Sequence, residues 1–268
     1  QLAKSAHEKW KDRAALVDPI DFVFTYVQDT TRLRDERQTL VDGLKRAVSD
    51  NEANRYESHY ELRFALRSVA MFLPWIRNVF VVVGDHPDQH PAFFDRSTAV
   101  TESEDGIVTY SLSAKQTLVV VPHRCLFPPE KQDRQLPTYN SHAIECQLHR
   151  LPGLSERFIY SNDDFFINTP LEPEDFFLPR NNGYVGLYHF TAGNLPLPPK
   201  HAGMSKHAQA WMNNIELLGK MFPKHRASPK NYQAHVPVPM FKQRFAEIWE
   251  NELLLPHLQR TARSKLRT

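Results

Sequence analysis

Four short apolar runs restrict this chain's architecture more than any other feature. They cover residues 20–27, 79–83, 118–121 and 158–160. Each has strand length and is nearly continuous in apolar side chains, the pattern of strands covered on both faces. Each also ends in polar residues: Gln28-Asp29, Gly84-Asp85, Pro122-His123 and Ser161-Asn162-Asp163-Asp164. Ligands of open α/β sheets collect beyond the carboxyl ends of the strands. One polar strand end marks only a turn, but four in succession point to a site. The expected fold is α/β, with a mostly parallel sheet flanked by helices.

The connecting segments fill in that picture. Leu62, Leu66 and Val69 recur at helical spacing and predict a helix over residues 58–72, ended by Pro74-Trp75. Arg63 and Arg67, four apart, share a different face of it. A second helix is expected over residues 141–151, with Ile144 and Leu148 inward and Ser141, Glu145 and His149 on another stripe. Pro152-Gly153 stops it. Residues 30–56 read as a mobile loop or short helix, and residues 87–117 as an irregular edge with one weak strand. Beyond Gly183 the pattern turns helical, around residues 208–222 and 240–254. The intervening His235-Val236-Pro237-Val238-Pro239 must be extended, because a residue preceding proline avoids the α region. Residues 1–183 are expected to form an α/β core, and residues 184–268 a helical cap that completes one compact unit.

Composition narrows the function classes. A chain of 268 residues with 41% hydrophobic side chains can bury a sizeable core. Its formal net charge of +2 supplies no broad basic field for nucleic acid. Two cysteines, Cys125 and Cys146, cannot define a disulfide scaffold. No run approaches the roughly 20 apolar residues that span a bilayer. The first residues, Gln1-Leu2-Ala3-Lys4, lack a secretory apolar stretch and an initiating Met. The chain is therefore expected to be a piece of a longer protein.

Several residues carry chemistry. Asp163 and Asp164 are adjacent carboxylates at a strand end, suited to a hard divalent cation such as magnesium or manganese. A turn with an Asx cap is the plainer alternative. Glu145 and His149, one helical turn apart, are candidates for a general base or for substrate ligands; a solvated helix face has the same spacing. His142, Cys146 and His149 recur at zinc-ligand spacing but lack an evident fourth ligand. Arg63 and Arg67 suit forked contacts to phosphate, or simply a charged surface. His235 sits in a stiff segment that would aim its side chain. Arg260, Arg263, Lys265 and Arg267 make the end of the chain basic.

In order, these features resemble the Stealth family, which includes bacterial capsule phosphotransferases and the catalytic subunit of the animal N-acetylglucosamine-1-phosphotransferase. The strongest likeness is Leu136-Pro-Thr-Tyr-Asn-Ser-His-Ala-Ile-Glu145, continuing through His149-Arg-Leu-Pro-Gly-Leu154 and Phe158-Ile-Tyr-Ser-Asn-Asp-Asp164. It is similar to the family's second region, as are Glu61-Leu-Arg-Phe-Ala-Leu-Arg-Ser68 and Pro74-Trp-Ile-Arg-Asn78. Ile20-Asp-Phe-Val-Phe-Thr-Tyr-Val27 resembles the first region; His235-Val-Pro and Lys265-Leu-Arg267 resemble the third. Two places depart from the pattern. Gln28-Asp29 stands where the family has Asn/Asp-Gly, and Gly84-Asp85 where it has Asn-Gly. The family's last short Asn-Asp segment is expected beyond Arg267.

The resemblance implies a nucleotide-sugar-transferase-like (GT-A-like) sheet with a helical C-terminal cap. It implies an active site of Glu145, Asp164, His235 and Arg267, with Asp163 and Asp164 holding the metal. Thr25, Arg63, Arg67, Asn140, Ser141 and Asn162 are expected to line the donor site. The activity implied is transfer of a sugar-1-phosphate from a nucleotide sugar, such as UDP-N-acetylglucosamine, to a hydroxyl of a saccharide acceptor. Glu145 or His235 would be the base. Three rivals stay open: a glycosyltransferase releasing nucleoside diphosphate, a metal-dependent hydrolase, and a non-catalytic carbohydrate-binding relative. Bacterial members imply a cytoplasmic chain, peripheral at the inner membrane; animal members imply the Golgi lumen.

Overall fold

The structure, a computed structural model, describes residues 18–43, 59–179, 185–187, 191–196, 206–221, 231–233 and 236–266. In chain order the elements are β1 (Ile20–Thr25), α1 (Thr31–Gly43), α2 (Glu61–Phe72), β2 (Ile76–Val83), β3 (Thr101–Glu102), β4 (Val108–Ser111), β5 (Thr117–Pro122), α3 (Gln132–Gln135), α4 (Ser141–Glu145) and β6 (Arg157–Asn162). They continue with β7 (Phe177–Pro179), β8 (Val185–Leu187), β9 (Thr191–Pro196), α5 (Lys206–Met221), β10 (Asn231–Gln233), β11 (Val238–Phe241), α6 (Lys242–Glu250) and α7 (Leu255–Arg263). One seven-stranded sheet runs in the order β11-β6-β1-β2-β5-β4-β3. Its middle four strands, β6, β1, β2 and β5, are parallel. β11 closes one edge antiparallel to β6, and β4 with β3 closes the other.

Both faces are covered, as the unbroken apolar runs require. Phe22 and Phe24 of β1 join Val79, Val81, Leu118 and Ile159 beneath α2, which contributes Leu62, Ala65, Leu66 and Val69. Val23, between those phenylalanines, points the other way and packs with Phe80, Val82 and Phe158. That second face is covered by Leu126, Phe127, Ile144, Leu148, Leu151 and Leu154, all from the link between β5 and β6. The link from β1 to β2 thus covers one face, and the link from β5 to β6 the other. Each fully buried Leu or Phe contributes about 1.5–3 kcal/mol, so the two layers hold the sheet from both sides. The fold is α/β and GT-A-like.

At the amino end of the sheet, an acid is tied down completely. Asp21 of β1 is wholly buried. Its carboxylate accepts from Arg77 Nε (3.0 Å) and Nη2 (2.6 Å), from the Asn78 backbone N–H (3.1 Å) and from the Ser155 backbone N–H (2.7 Å). Arg77 Nη2 also donates to the carbonyl of Gly153 at 2.8 Å. The clamp joins β1, β2 and the approach to β6, and it gives the Arg77-Asn78 pair a structural purpose.

Three local expectations need correction, and at residues 31–43 the helix of the two alternatives is found. The helix expected over residues 141–151 stops at Glu145; a turn and a short 3₁₀ segment, Leu148–Arg150, follow. The cause is distant in sequence. The Trp249 indole N–H donates to the Cys146 carbonyl at 2.8 Å, and Arg150 N–H bonds instead to Gln147. Residues 31–43 are a regular helix, α1, anchored by buried Leu33 and Val41. The edge at residues 87–117 holds two short strands rather than one. The helix expected over residues 240–254 is preceded by β11, and α7 follows it.

Candidate active site

Strand order reverses beside β1. The chain passes from β1 outward to β2 and β5, then returns to place β6 on the other side of β1. Because the two crossovers lie on opposite faces, their chains diverge at the carboxyl ends of β1 and β6, where open α/β sheets bind ligands. Thr25 ends β1, Asn162 ends β6, and the two are register partners.

A residue that the sequence reading did not single out stands at the centre. Tyr160 of β6 is only 8% exposed. Its hydroxyl lies 3.1 Å from Thr25 Oγ1 and donates to Asn162 Oδ1 at 3.1 Å. Glu145 lies close enough for its charge to act on this hydroxyl. Burial first, and then the charge of Glu145, push the phenol well above its ordinary range, with Asp163 adding to the effect. Thr25 and Asn162 thus meet at one hydroxyl, and the charges of Glu145 and Asp163 act on it. Alternation along β6 could have revealed Tyr160: it shares a face with Phe158 and Asn162, and it is a polar-tipped aromatic near the carboxyl end.

Asp163 begins the turn after β6 and is half-buried, whereas Asp164 is exposed. Burial, the neighbouring Asp164 and then Glu61 raise the Asp163 carboxyl to about 7, against a partial opposing effect of its own backbone N–H. Glu61 opens α2, which the sequence reading quoted only as part of a motif; it also accepts from the His59 backbone N–H at 2.7 Å. Crowded acids of this kind favour either a shared proton or a cation. Among the described residues, no three His, Cys, Asp or Glu side chains come together as a metal cage. Glu61 adds to the negative field at Asp163. An adjacent carboxylate pair without a cage fits magnesium, which keeps several waters and takes one or two carboxylates plus substrate phosphates.

Other expected site residues fall in different places. Asn140 is buried and fully engaged: Oδ1 accepts from the His142 N–H at 3.2 Å, capping α4, and Nδ2 donates to the Ser264 carbonyl at 3.0 Å. Ser141 is half-buried at the start of α4. Arg63 and Arg67 are exposed on the first two turns of α2, with Arg67 6.0 Å from the Phe64 ring centre. His149 turns away from Glu145. It is buried, stacks on Phe245 and lies against Trp249, and burial lowers its pKa to about 4. Burial pushes the Cys146 thiol up to about 12. His235 and Arg267 lie outside the described residues. The neighbouring segments are tied to the sheet side: Val238 of β11 pairs with Tyr160, and Leu266 bridges Tyr139.

The two departures in sequence are coupled in space. The Gln89 side-chain amide brackets the Gln28 peptide, accepting from its N–H at 3.2 Å and donating to its carbonyl at 2.9 Å. A Cβ on Gly84 would lie 2.8 Å from Gln89 Cγ, so the glycine makes room for this clamp. Asp85 accepts from the Arg124 N–H at 2.7 Å. Nearby His123 is held near pKa 4 by burial, with Asp85 opposing. These bonds fasten together the loops that follow β1, β2 and β5.

The family model for Stealth protein CR2, conserved region 2, matches residues 55–184. The chain belongs to the Stealth family. The Stealth chain is 34% identical over 236 residues to an exopolysaccharide phosphotransferase of Streptomyces coelicolor, covering 87% of this chain and 22% of that protein. It is 33% identical over 238 residues to a capsular polysaccharide phosphotransferase of Haemophilus influenzae, covering 86% and 56%. With the capsular polysaccharide phosphotransferase LcbA of Neisseria meningitidis it shares 30% over 254 residues, covering 93% and 61%. The Stealth chain thus spans from about a fifth to three fifths of the length of these curated relatives. Among its described residues, no helix is long and apolar enough to cross a membrane.

Proposed function

We propose that this chain forms the catalytic core of a sugar-1-phosphate transferase. It takes a nucleotide sugar, with UDP-N-acetylglucosamine the first donor to test, and transfers the hexose-1-phosphate to a hydroxyl of an oligo- or polysaccharide. The observation that carries this reading is the meeting of Thr25 and Asn162 at the Tyr160 hydroxyl, with the charges of Glu145 and Asp163 acting on it, at the point where strand order reverses. Phosphotransferase relatives from three genera support the reaction class.

In this reading Glu145 takes the proton of the acceptor hydroxyl. The acceptor oxygen bonds to the phosphorus nearest the sugar. The bond from that phosphorus to the bridging diphosphate oxygen breaks, and the oxygen leaves with the nucleoside monophosphate. The anomeric C–O bond survives, so anomeric configuration is retained and the product is a phosphodiester. Asp163 and Asp164 would hold magnesium or manganese, which when bound supplies positive charge to the diphosphate. Everything else the chain contributes is positioning and electrostatic fit. Arg63 and Arg67, at the start of α2, are the exposed cations closest in sequence to Glu61, and they suit the donor phosphates.

The test is to offer the full protein a panel of nucleotide sugars with magnesium or manganese and a saccharide acceptor, and to identify the nucleotide released. UMP from UDP-N-acetylglucosamine is expected. UDP would mean attack at carbon and glycosyl transfer, and acceptor-independent loss of donor would mean hydrolysis. Glu145→Gln is expected to lower kcat about 10²–10⁴-fold.

A further inference from the structure

Among the described residues, seven large apolar side chains are exposed, and four of them belong to α2 and the segment beside it. Tyr60, Phe64 and Met71, at 62%, 54% and 69% exposure, follow one another along the outer stripe of α2. Phe166, at 51%, comes from the segment after β6. That segment runs alongside the helix. The Ile167 N–H donates to Ser68 Oγ at 3.0 Å, the Leu171 N–H to the Phe72 carbonyl at 3.3 Å, and the Trp75 indole N–H to the Leu171 carbonyl at 2.7 Å. Ile167 is buried in the layer of Leu62, Leu66 and Val69, while Asp164 and Phe166 ahead of it are exposed. The exposed positions of α2 itself are Arg63, Phe64, Arg67 and Met71, with no acid among them. A concentration of exposed rings marks a binding surface, and its place decides what it binds. An occupant that touches Phe166 is within two residues of Asp164, so a lipid surface or a second subunit laid along the stripe would cover the acid pair. A nucleotide belongs at the strand ends, whereas the stripe leads away from them: α2 ends at Phe72, just before β2 starts at the amino end of the sheet. From Tyr60 to Met71 the stripe is about 16 Å long, more than one sugar ring. One face of a pyranose presents C–H groups, which meet the electron-rich face of an aromatic ring favourably while the hydroxyls stay in water.

We propose that Tyr60, Phe64 and Phe166, with Met71 beyond them, form a platform for the saccharide acceptor, on which several of its sugar rings lie while the reacting hydroxyl reaches the acid pair. This rests on the transferase reading above and supplies the acceptor side of that site. Arg63 and Arg67 keep their place with the donor phosphates; the rings among them hold sugar. The consequence is a dependence on acceptor length. A single sugar meets one ring, and a longer saccharide meets several.

The experiment needs no turnover. The full protein is applied to an array of neutral and phosphate-bearing saccharides, from single rings to hexasaccharides. The Kd of those it holds is then measured for the wild type, Phe64→Ala, Phe166→Ala, Phe64→Tyr, Phe166→Tyr and the double variant Phe64→Ala/Phe166→Ala, beside the Kd of UDP-N-acetylglucosamine. Wild-type affinity should rise from a single ring to a chain of several. Each alanine variant should bind the longer saccharides about 3- to 10-fold more weakly, and each tyrosine variant, which keeps the ring, within about twofold of the wild type. The double alanine variant should lose the gain with length. The donor Kd should move by less than about threefold, since the platform lies apart from the nucleotide. Both rings are exposed, so melting temperatures should hold within about 2 °C. A wild type that holds no saccharide, alanine variants that bind as the wild type does, or an equal loss of donor affinity would each overturn the proposal. So would another occupant: pelleting with anionic phospholipid vesicles, or a dimer in analytical ultracentrifugation, lost in the double variant while saccharide binding is unchanged. Nucleotide release judges the chemistry separately. UDP in place of UMP sinks phosphoryl transfer and leaves the platform to the array result.

Discussion

Asp21 and Asp163 stand at opposite ends of the same sheet and face opposite circumstances. Asp21 is wholly buried but receives four donors, two from Arg77 and two from backbone N–H groups. Asp163 is less buried, yet its strongest electrostatic neighbours are other acids, Asp164 and Glu61. A buried carboxylate surrounded by donors is a fastener. One crowded by carboxylates stores unfavourable energy that a cation or a proton relieves. The amino end of the sheet is built to stay shut, whereas the carboxyl end gathers acids whose repulsion a cation or a proton would relieve.

Removing each acid should break this contrast in opposite directions. The largest effect is expected from Asp21→Ala. It strands the Asn78 and Ser155 N–H groups and the Arg77 guanidinium, at a cost of about 3–5 kcal/mol. Urea unfolding should show it directly, and a loss under about 1 kcal/mol would reduce the clamp to decoration. Next comes Asp163→Asn, which should lower turnover at least ~100-fold while stabilising the fold at alkaline pH. The sign follows from linkage: the native state holds this proton up to about 7, against 3.8 for the unperturbed group. Wild-type stability therefore falls as pH rises between those values. At pH 8 without divalent cation the variant should melt about 3 °C higher, and near pH 4 the two should coincide. A variant less stable at pH 8 would show that Asp163 is a fastener too.

Magnesium sharpens the comparison further. At about 100 times its dissociation constant it should stabilise the wild type by roughly 2.7 kcal/mol; this should disappear in Asp163→Asn, and thermal melts with and without the ion will show it. The smallest effect is expected at His149. Buried and held near 4, it favours the native state above about 6.5, and that stability is lost as pH falls through 4. His149→Phe should flatten part of this acid limb and keep kcat within about threefold. A large loss of turnover would return His149 to the catalytic group.

The central fold was readable because its signals are local. Residues 20–25, 76–83, 117–122 and 157–162 are strands in which the apolar run is itself the cause of burial. Leu62, Leu66 and Val69 likewise announce α2. What escaped depends on partners far along the chain. Helix α4 ends early because Trp249, over a hundred residues later, takes the Cys146 carbonyl. Asn140 reads as a ligand of substrate, but its amide is spent on its own helix cap and on Ser264. Tyr160 passed as a core aromatic, because the position of its hydroxyl depends on β1 and α4 meeting β6. The charges at the carboxyl end were visible as Asp163 and Asp164; the contribution of Glu61 required the folded course of α2.

The outer rim of β6 is completed by β11, whose residues lie some eighty positions further along the chain. A growing polypeptide therefore displays that rim, with its N–H and C=O groups unmatched, until Phe241 has left the ribosome. The strand that ends in Asn162 and the two acids is the one kept waiting, so its outer edge stays open to pairing until β11 has been made.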